Sequence, residues 1–120
     1  MKELDAIAEQ IQKLVGQIDN LLDTNSGHAL STQAGKLAIQ LEYLLEHKHY
    51  AKQIKNKSYA EVYAKERITE SQGDAKVYAD AKKDATYDRI EAIESGVKSI
   101  LSTVKDKLKW LELENQNKDF

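Results

Sequence analysis

The chain has 120 residues, the length of a single domain, and a formal net charge of −2 at pH 7. It contains no cysteine, which excludes disulfides and thiolate metal sites. It also contains no proline, the residue that most strongly stops a helix. Charged residues make up 32% of the sequence and aromatic residues only 7%, a balance typical of long helices. We therefore predict a single all-α domain spanning residues 1–120.

The first predicted helix spans about residues 2–23, and its apolar residues recur after three and four residues alternately. This heptad spacing is typical of a helix that packs lengthwise on another helix. The residues concerned are Leu4, Ile7, Ile11, Leu14, Ile18 and Leu21. A break is expected at residues 24–28, where Asn25 or Gly27 can adopt a left-handed conformation. Ser31 or Thr32 is then expected to cap the second helix.

Two longer helices are predicted at about residues 32–70 and 74–114, joined by a four-residue turn. Gly73 is expected to end one helix and Asp74 to cap the next. Helices of this length joined by so short a turn must lie antiparallel. The expected fold is a long antiparallel helical hairpin with coiled-coil-like packing and a short N-terminal helix.

The apolar stripes predict self-association. Long helices expose much surface for their volume, so the stripes of the first helix and of the end of the third are expected to be completed by another copy of the chain or by another protein. The predicted oligomer interface consists of Leu4, Ile7, Ile11, Leu14, Ile18, Leu21, Ile100, Val104, Leu108 and Leu111.

No motif of an enzyme is present: the sequence lacks GxxxxGK[ST], GxGxxG and HExxH patterns. His47 and His49 lie two residues apart on a predicted helix, so they point to different sides and cannot bind one metal ion together. We therefore predict a non-enzymatic protein without metal or cofactor. No apolar run reaches the roughly 18–20 residues that span a bilayer, and the N-terminus does not read as a signal peptide. These features predict a cytoplasmic protein with no membrane partner.

A basic segment at residues 47–59 contains four lysines, two histidines and two tyrosines but no acid. On a helix, Lys48, Lys52 and Lys55 share one side with Tyr59. Lysines in such a row can follow phosphates, and aromatic rings can stack on unpaired bases, which indicates binding to single-stranded nucleic acid. The alternative is that the lysines pair with acids of the facing helix. Those acids are Asp80, Asp84, Asp88 and Glu91.

A leucine-rich helix thus leads into this basic segment, followed by YAEVYAKERIT at residues 59–69, a polar turn and a helix ending in LKWL at residues 108–111. This layout resembles the UvsY family of bacteriophage recombination mediators over roughly residues 36–112. The resemblance implies an oligomeric phage protein that binds single-stranded DNA non-specifically in the cytoplasm of the bacterial host. It also implies help in loading a RecA-type recombinase onto DNA covered by single-strand-binding protein. Lys55, Lys57, Lys65 and Arg67 best match the family's DNA contacts.

The leading interpretation is therefore a recombination mediator that captures phosphates with basic side chains and stacks bases on two tyrosines. The predicted nucleic-acid-binding residues are Lys48, Tyr50, Lys52, Lys55, Lys57, Tyr59, Lys65 and Arg67. The alternative is a helical interaction protein with no nucleic-acid role, such as a phage assembly chaperone, a scaffold or an inhibitor of a host protein. It would use the heptad stripes to bind partner helices.

Overall fold

The computed structural model describes residues 2–118, with side chains up to residue 116, and contains five α-helices. Helix α1 spans Lys2–Leu22, α2 Gly27–Glu46, α3 Lys48–Glu66, α4 Gln72–Lys82 and α5 Thr86–Lys118. No strand occurs between residues 2 and 118, which confirms the predicted all-α fold. Helix α1 also agrees with the predicted span of residues 2–23.

The start of the second helix differs from the prediction. Helix α2 begins at Gly27, because the N–H of Leu30 already donates to the carbonyl of Ser26 over 3.1 Å. Ser31 and Thr32 therefore lie inside the helix instead of capping it. The expected left-handed residue is also wrong, since no residue between 2 and 118 has a positive φ.

The helix predicted at residues 32–70 is divided at His47 into α2 and α3. His47 has φ −84° and ψ −13°, so its ψ lies well away from the value of about −42° that an α-helix prefers. The helical pattern is therefore interrupted at one residue, although the N–H of Ala51 still donates to the carbonyl of His47 over 3.0 Å. Neither glycine nor proline marks this position.

The helix predicted at residues 74–114 is also divided, into α4 and α5. Ser71 caps α4, since its hydroxyl accepts a hydrogen bond from the N–H of Asp74 over 3.2 Å, so the predicted cap at Asp74 is wrong. Lys83 ends α4 in an extended conformation, with φ −63° and ψ 156°. Residues 83–85 therefore separate α4 from Thr86, where α5 begins.

The contacts of the chain define two compact units. Unit 1 comprises the chain up to Leu45 and from Ile93 onwards, and unit 2 comprises Glu46–Ala92. One boundary between the units thus falls at the end of α2 and the other within α5. The single domain predicted for residues 1–120 is not tested by this division and stays a prediction.

Unit 1 is built from three helical segments, each of which buries a heptad row of aliphatic residues. Burial of each such side chain contributes about 1.5–3 kcal/mol to folding, and together they form one core. The buried residues are Leu4, Ile11, Leu14 and Ile18 of α1, Leu30, Leu37, Leu41 and Leu44 of α2, and Val97, Val104 and Leu111 of α5. All are at most 9% exposed.

Unit 2 is held together mainly by small residues. Helices α3 and α4 pack against each other as a helical hairpin joined by residues 67–71. Ala75 and Ala79 of α4 are fully buried, and Ala51 of α3 is 2% exposed. Alanine lets two helix backbones approach closely but buries little apolar surface. Ile90, in the first turns of α5, is the large aliphatic residue of this core.

Three glycines lie in helix interiors without a packing reason. A Cβ atom built at Gly16, Gly35 or Gly96 would meet nothing within 4 Å. None of them has a positive φ. At these positions neither a turn nor a close helix approach requires glycine.

The core of unit 1 can be tested with two leucine-sized residues that lie two positions apart on α2. Leu37 is fully buried, whereas Ile39 is 50% exposed. We expect Leu37→Ala to lower the free energy of unfolding by about 2–5 kcal/mol, because it leaves a cavity. Ile39→Ala should change it by about 0.5 kcal/mol or less. Urea unfolding followed by circular dichroism measures both, and equal effects would contradict the described burial.

Candidate nucleic-acid interface

The first four turns of α3 present an exposed surface without acidic side chains, which we call the basic face. No aspartate or glutamate occurs between residues 47 and 60. The exposed side chains of this segment are His49, Tyr50, Lys52, Gln53, Asn56, Lys57 and Ala60. A surface of this composition attracts anions by its lysines and offers amides and a ring for further contacts.

Lys52 and Lys57 are the charged residues of the basic face. Both are exposed, and neither forms an ion pair within the part of the chain that the structure describes. They lie five residues apart, so their side chains are rotated by about 140° around the helix axis. The two lysines therefore stand at opposite edges of the basic face.

Lys55 is instead paired with an acid. Its Nζ donates a hydrogen bond of 2.7 Å to Oδ1 of Asp88 in α5, and its side chain is only 23% exposed. This hydrogen bond is the main cause of a raised pKa of Lys55 and of a lowered pKa of Asp88. The alternative prediction, that lysines pair with acids of the facing helix, is therefore confirmed for this residue.

A tyrosine of α5 lies between two lysines of α3. The ring centroid of Tyr87 lies 5.0 Å from Nζ of Lys55 and 6.0 Å from Nζ of Lys48, distances at which a cation is attracted by an aromatic face. A hydrogen bond with Glu91 is the main cause of a raised pKa of Tyr87. Lys48 and Lys55 thus contribute to packing inside unit 2. The part played by Tyr87 was not visible in the sequence.

The junction between α4 and α5 is anchored on Ser58 of α3. The N–H of Asp84 donates to Oγ of Ser58 over 2.8 Å, while the same hydroxyl donates to the carbonyl of Lys55 over 2.9 Å. The carboxylate of Asp84 then accepts a hydrogen bond of 2.9 Å from the N–H of Thr86, at the start of α5. This backbone hydrogen bond is the main cause of a lowered pKa of Asp84.

Two tyrosine rings of α3 lie parallel to each other. The centroids of Tyr59 and Tyr63 are 6.3 Å apart, the ring planes differ by 7°, and both residues are half-buried. Tyr63 was not among the predicted site residues, although its spacing of four from Tyr59 was visible in the sequence. Tyr50 is 61% exposed and lies nine residues before Tyr59, so it points to the opposite side of the helix.

The remaining predicted contacts lie at the end of α3. Lys65 is exposed in its last turn. Arg67 follows the helix, is exposed, and donates from Nη1 to the carbonyl of Glu70 over 3.0 Å. Between them, Glu66 faces Lys82 of α4 at 3.9 Å. The eight predicted residues therefore do not form one continuous patch.

The predicted oligomer interface lies largely in the core of unit 1. Leu4, Ile11, Leu14, Ile18, Val104 and Leu111 are buried, and Ile7, Leu21, Ile100 and Leu108 are half-buried. The helices of one chain already cover these stripes, so the stripes no longer provide a reason for self-association. The formation of an oligomer stays a prediction.

Other apolar residues of unit 1 are exposed. Ile39 and Tyr43, one turn apart on α2, are 50% and 47% exposed, and Trp110 and Leu113 on α5 are 47% and 53% exposed. A shallow groove of about 510 Å³ lies between α2 and α5. Its lining residues are Ala34, Leu101, Val104, Lys105, Leu108, Lys109 and Glu112.

Residues 2–118 contain no cluster of three or more His, Cys, Asp or Glu side chains that could hold a metal ion. None of the helices described for this chain is long and apolar enough to cross a membrane.

The ion pair between Lys55 and Asp88 leads to a pH-dependent prediction. Because the pKa of Asp88 in the folded chain lies below its ordinary value of 3.8, the pair stabilises the fold above that pH. The contribution is lost as the pH falls through the lowered pKa. Because the pKa of Lys55 is raised above its ordinary value of 10.5, the contribution of the pair to stability persists up to at least that pH.

We therefore expect Asp88→Asn to unfold at a lower temperature than the wild-type chain at pH 7, and the difference to shrink as the pH is lowered below 3.8. The matched control is Asp80→Asn, whose carboxylate is 62% exposed and lies 3.3 Å from Lys83 on the same chain segment. It should have the smaller effect, because its 3.3 Å contact joins residues only three positions apart, whereas Asp88, itself 47% exposed, forms a 2.7 Å hydrogen bond across to α3. Thermal unfolding followed by circular dichroism measures both variants, and an unchanged midpoint for Asp88→Asn at pH 7 would contradict the described pair.

Comparison of the chain with protein families, with curated proteins and with solved structures finds no match. The resemblance to the UvsY family rests on the sequence features alone and stays a hypothesis.

Proposed function

We propose that this chain is a non-enzymatic protein that binds single-stranded DNA without sequence preference. In this proposal it acts as an oligomeric phage recombination mediator of the UvsY type in the bacterial cytoplasm. It would assist the loading of a RecA-type recombinase onto DNA covered by single-strand-binding protein. The observation that carries the proposal is the basic face of α3, where Lys52 and Lys57 are exposed without an acidic partner.

The lysines differ in how much they contribute to this function. Asp88 compensates the charge of Lys55, so a phosphate at that position would have to compete with a hydrogen bond of 2.7 Å. Lys52 and Lys57 need give up no ion pair to bind a phosphate, and neither does Lys65 at the end of α3. These three lysines are therefore the principal phosphate contacts that we propose, ahead of Lys55.

Few charges per chain mean weak binding per chain. When the logarithm of affinity for a single strand is plotted against the logarithm of salt concentration, each phosphate contact adds roughly −0.7 to the slope. Two or three contacts cannot hold a strand at high salt. Several copies bound to the same strand raise the overall affinity, because the later contacts are intramolecular. This is the role that an oligomer would have.

The DNA-binding proposal is tested by fluorescence anisotropy with a labelled oligo-dT strand over a series of salt concentrations. We expect binding at low salt that weakens as salt is added. The double variant Lys52→Glu/Lys57→Glu should lose affinity and lower the steepness of the salt dependence by roughly 1.4, because two contacts are removed.

The matched control is Lys13→Glu/Lys36→Glu, which changes the net charge equally at two exposed lysines of unit 1. Its affinity should fall less than that of the α3 variant. A folded wild-type chain that fails to bind at low salt would exclude the proposal. Equal losses in the two double variants would exclude α3 as the interface.

A second candidate function, a helical interaction protein without a nucleic-acid role, is favoured by the exposed pair Ile39 and Tyr43. Large apolar side chains one turn apart on a helix are a common feature of surfaces that bind another helix. In its simplest form the partner is a second copy of this chain. An oligomer that does not bind DNA would favour this candidate over the first.

Light scattering coupled to size-exclusion chromatography tests the self-association that both candidates use. We expect an oligomer in the wild-type chain and a smaller species in Ile39→Lys/Tyr43→Lys. The control Lys36→Glu lies on the same helix but removes no apolar side chain, and it should keep the wild-type mass. A monomeric wild-type chain at high concentration would contradict self-association.

A further inference from the structure

We infer that Tyr59 and Tyr63 form a stacking site for unpaired nucleobases, and that the bases of a bound strand lie on the side of α3 that runs from Lys52 to Tyr63, while its phosphates contact the lysines of the basic face. The inference rests on the proposed binding of single-stranded DNA. It places the stacking of bases on Tyr59 with Tyr63 instead of Tyr50, and it thereby assigns Tyr63 a role in binding.

The geometry of the tyrosine pair supports this role. Its ring planes differ by only 7°, so both rings present their faces in the same direction. Each residue is half-buried, which restricts the rings before any ligand arrives. A tyrosine ring has few rotatable bonds and a large flat surface, so ordering it further on binding costs little. Every nucleobase has a π-face, so stacking on such rings tolerates any sequence.

The position of the pair on α3 connects it to the basic face. Lys52, Asn56, Tyr59 and Tyr63 follow one another after four, three and four residues, so they lie along one side of the helix. The distance from Lys52 to Tyr63 along the axis is about 16 Å. A strand on this side would meet an exposed ammonium group first, then an exposed amide that can bond to base edges, and then the two rings.

Two acids close to this side of α3 are paired. Asp88 is bound to Lys55 over 2.7 Å, and Glu66, one turn beyond Tyr63, faces Lys82 at 3.9 Å. Their charges are thus compensated by lysines of unit 2, which lowers the repulsion that a phosphate chain would meet there. The side of α3 that carries Lys52, Tyr59 and Tyr63 therefore combines a positive charge without an acidic partner, nearby acids paired with lysines, and two parallel rings.

The other edge of the basic face lacks this combination. Tyr50 points to the opposite side from Tyr59, and no aromatic ring of the described chain is stacked on it. Lys57 is rotated by about 140° from Lys52. If the bases lay on the Lys57 side instead, Tyr63 would make no contact with them.

The test compares three labelled strands of equal length, oligo-dT, oligo-dA and a strand of abasic sites, by fluorescence anisotropy with the full chain at low salt. The abasic strand has the phosphates but no bases. We expect the wild-type chain to bind the two base-bearing strands about tenfold or more tightly than the abasic strand. Tyr63→Leu should remove this difference without weakening the binding of the abasic strand, and Tyr63→Phe should retain it.

The matched control is Tyr78→Leu, a tyrosine of α4 in the same unit that is 43% exposed. It should keep the preference for base-bearing strands. Since Tyr63→Leu removes a half-buried ring, a thermal unfolding curve must accompany it. Should that variant unfold, stacking can be tested with the wild-type chain alone. The measurement is the fluorescence of a strand containing 2-aminopurine, because stacking of this base on a ring quenches its emission.

The outcomes separate the two proposals. If none of the three strands binds, the proposed function itself fails. If all three bind equally, or if Tyr63→Leu weakens the abasic strand as much as the others, DNA binding stands and the stacking site is excluded. An unquenched 2-aminopurine strand in a formed complex would exclude it as well.

Discussion

The hydrogen bond from the N–H of Asp84 to Oγ of Ser58 is the constraint on which the rest of unit 2 depends. It fixes the polar junction between α4 and α5 against the middle of α3. The carboxylate of Asp84 accepts a hydrogen bond from the N–H of Thr86, the first residue of α5. The first turn of α5 therefore lies beside α3. Tyr87 and Asp88, in this first turn, contact the lysines of α3.

The same constraint decides which positive charges remain available. The chain as a whole is slightly acidic, and residues 46–92 contain ten lysines and arginines against nine aspartates and glutamates. When basic and acidic residues are almost equal in number, a surface is positive only if the acids pair with basic residues outside it. In unit 2 acids pair with Lys55, Lys82 and Lys83, while Lys52 and Lys57 have no acidic partner in the described chain. The arrangement of charges, more than their total, makes α3 a candidate for binding an anionic strand.

The all-α fold and helix α1 were predictable from composition and heptad spacing. The divisions at His47 and at residues 83–85 were missed, because neither contains the glycine or proline that usually ends a helix. Lys83 followed by Asp84 was nevertheless a readable signal, since a basic last turn and an aspartate cap mark helix ends. The heptad stripes predict an oligomer interface, although they lie largely in the core of unit 1, because sequence alone does not tell whether a stripe packs within a chain or between chains. The sequence likewise does not tell which lysine of α3 pairs with which acid. The pair of Lys55 with Asp88 depends on where α5 begins.

The glycines at positions 16, 35 and 96 bear on how the protein could be handled in the laboratory. Each lies inside a helix, with open space where a methyl group would be placed. Replacing a helical glycine with alanine typically raises stability by about 0.5–1 kcal/mol, and gains at distant sites add. All three positions lie outside α3. A more robust form of the chain is thus accessible for spectroscopy or crystallisation with its lysines and tyrosines intact, which suggests that natural selection has left part of its attainable stability unused.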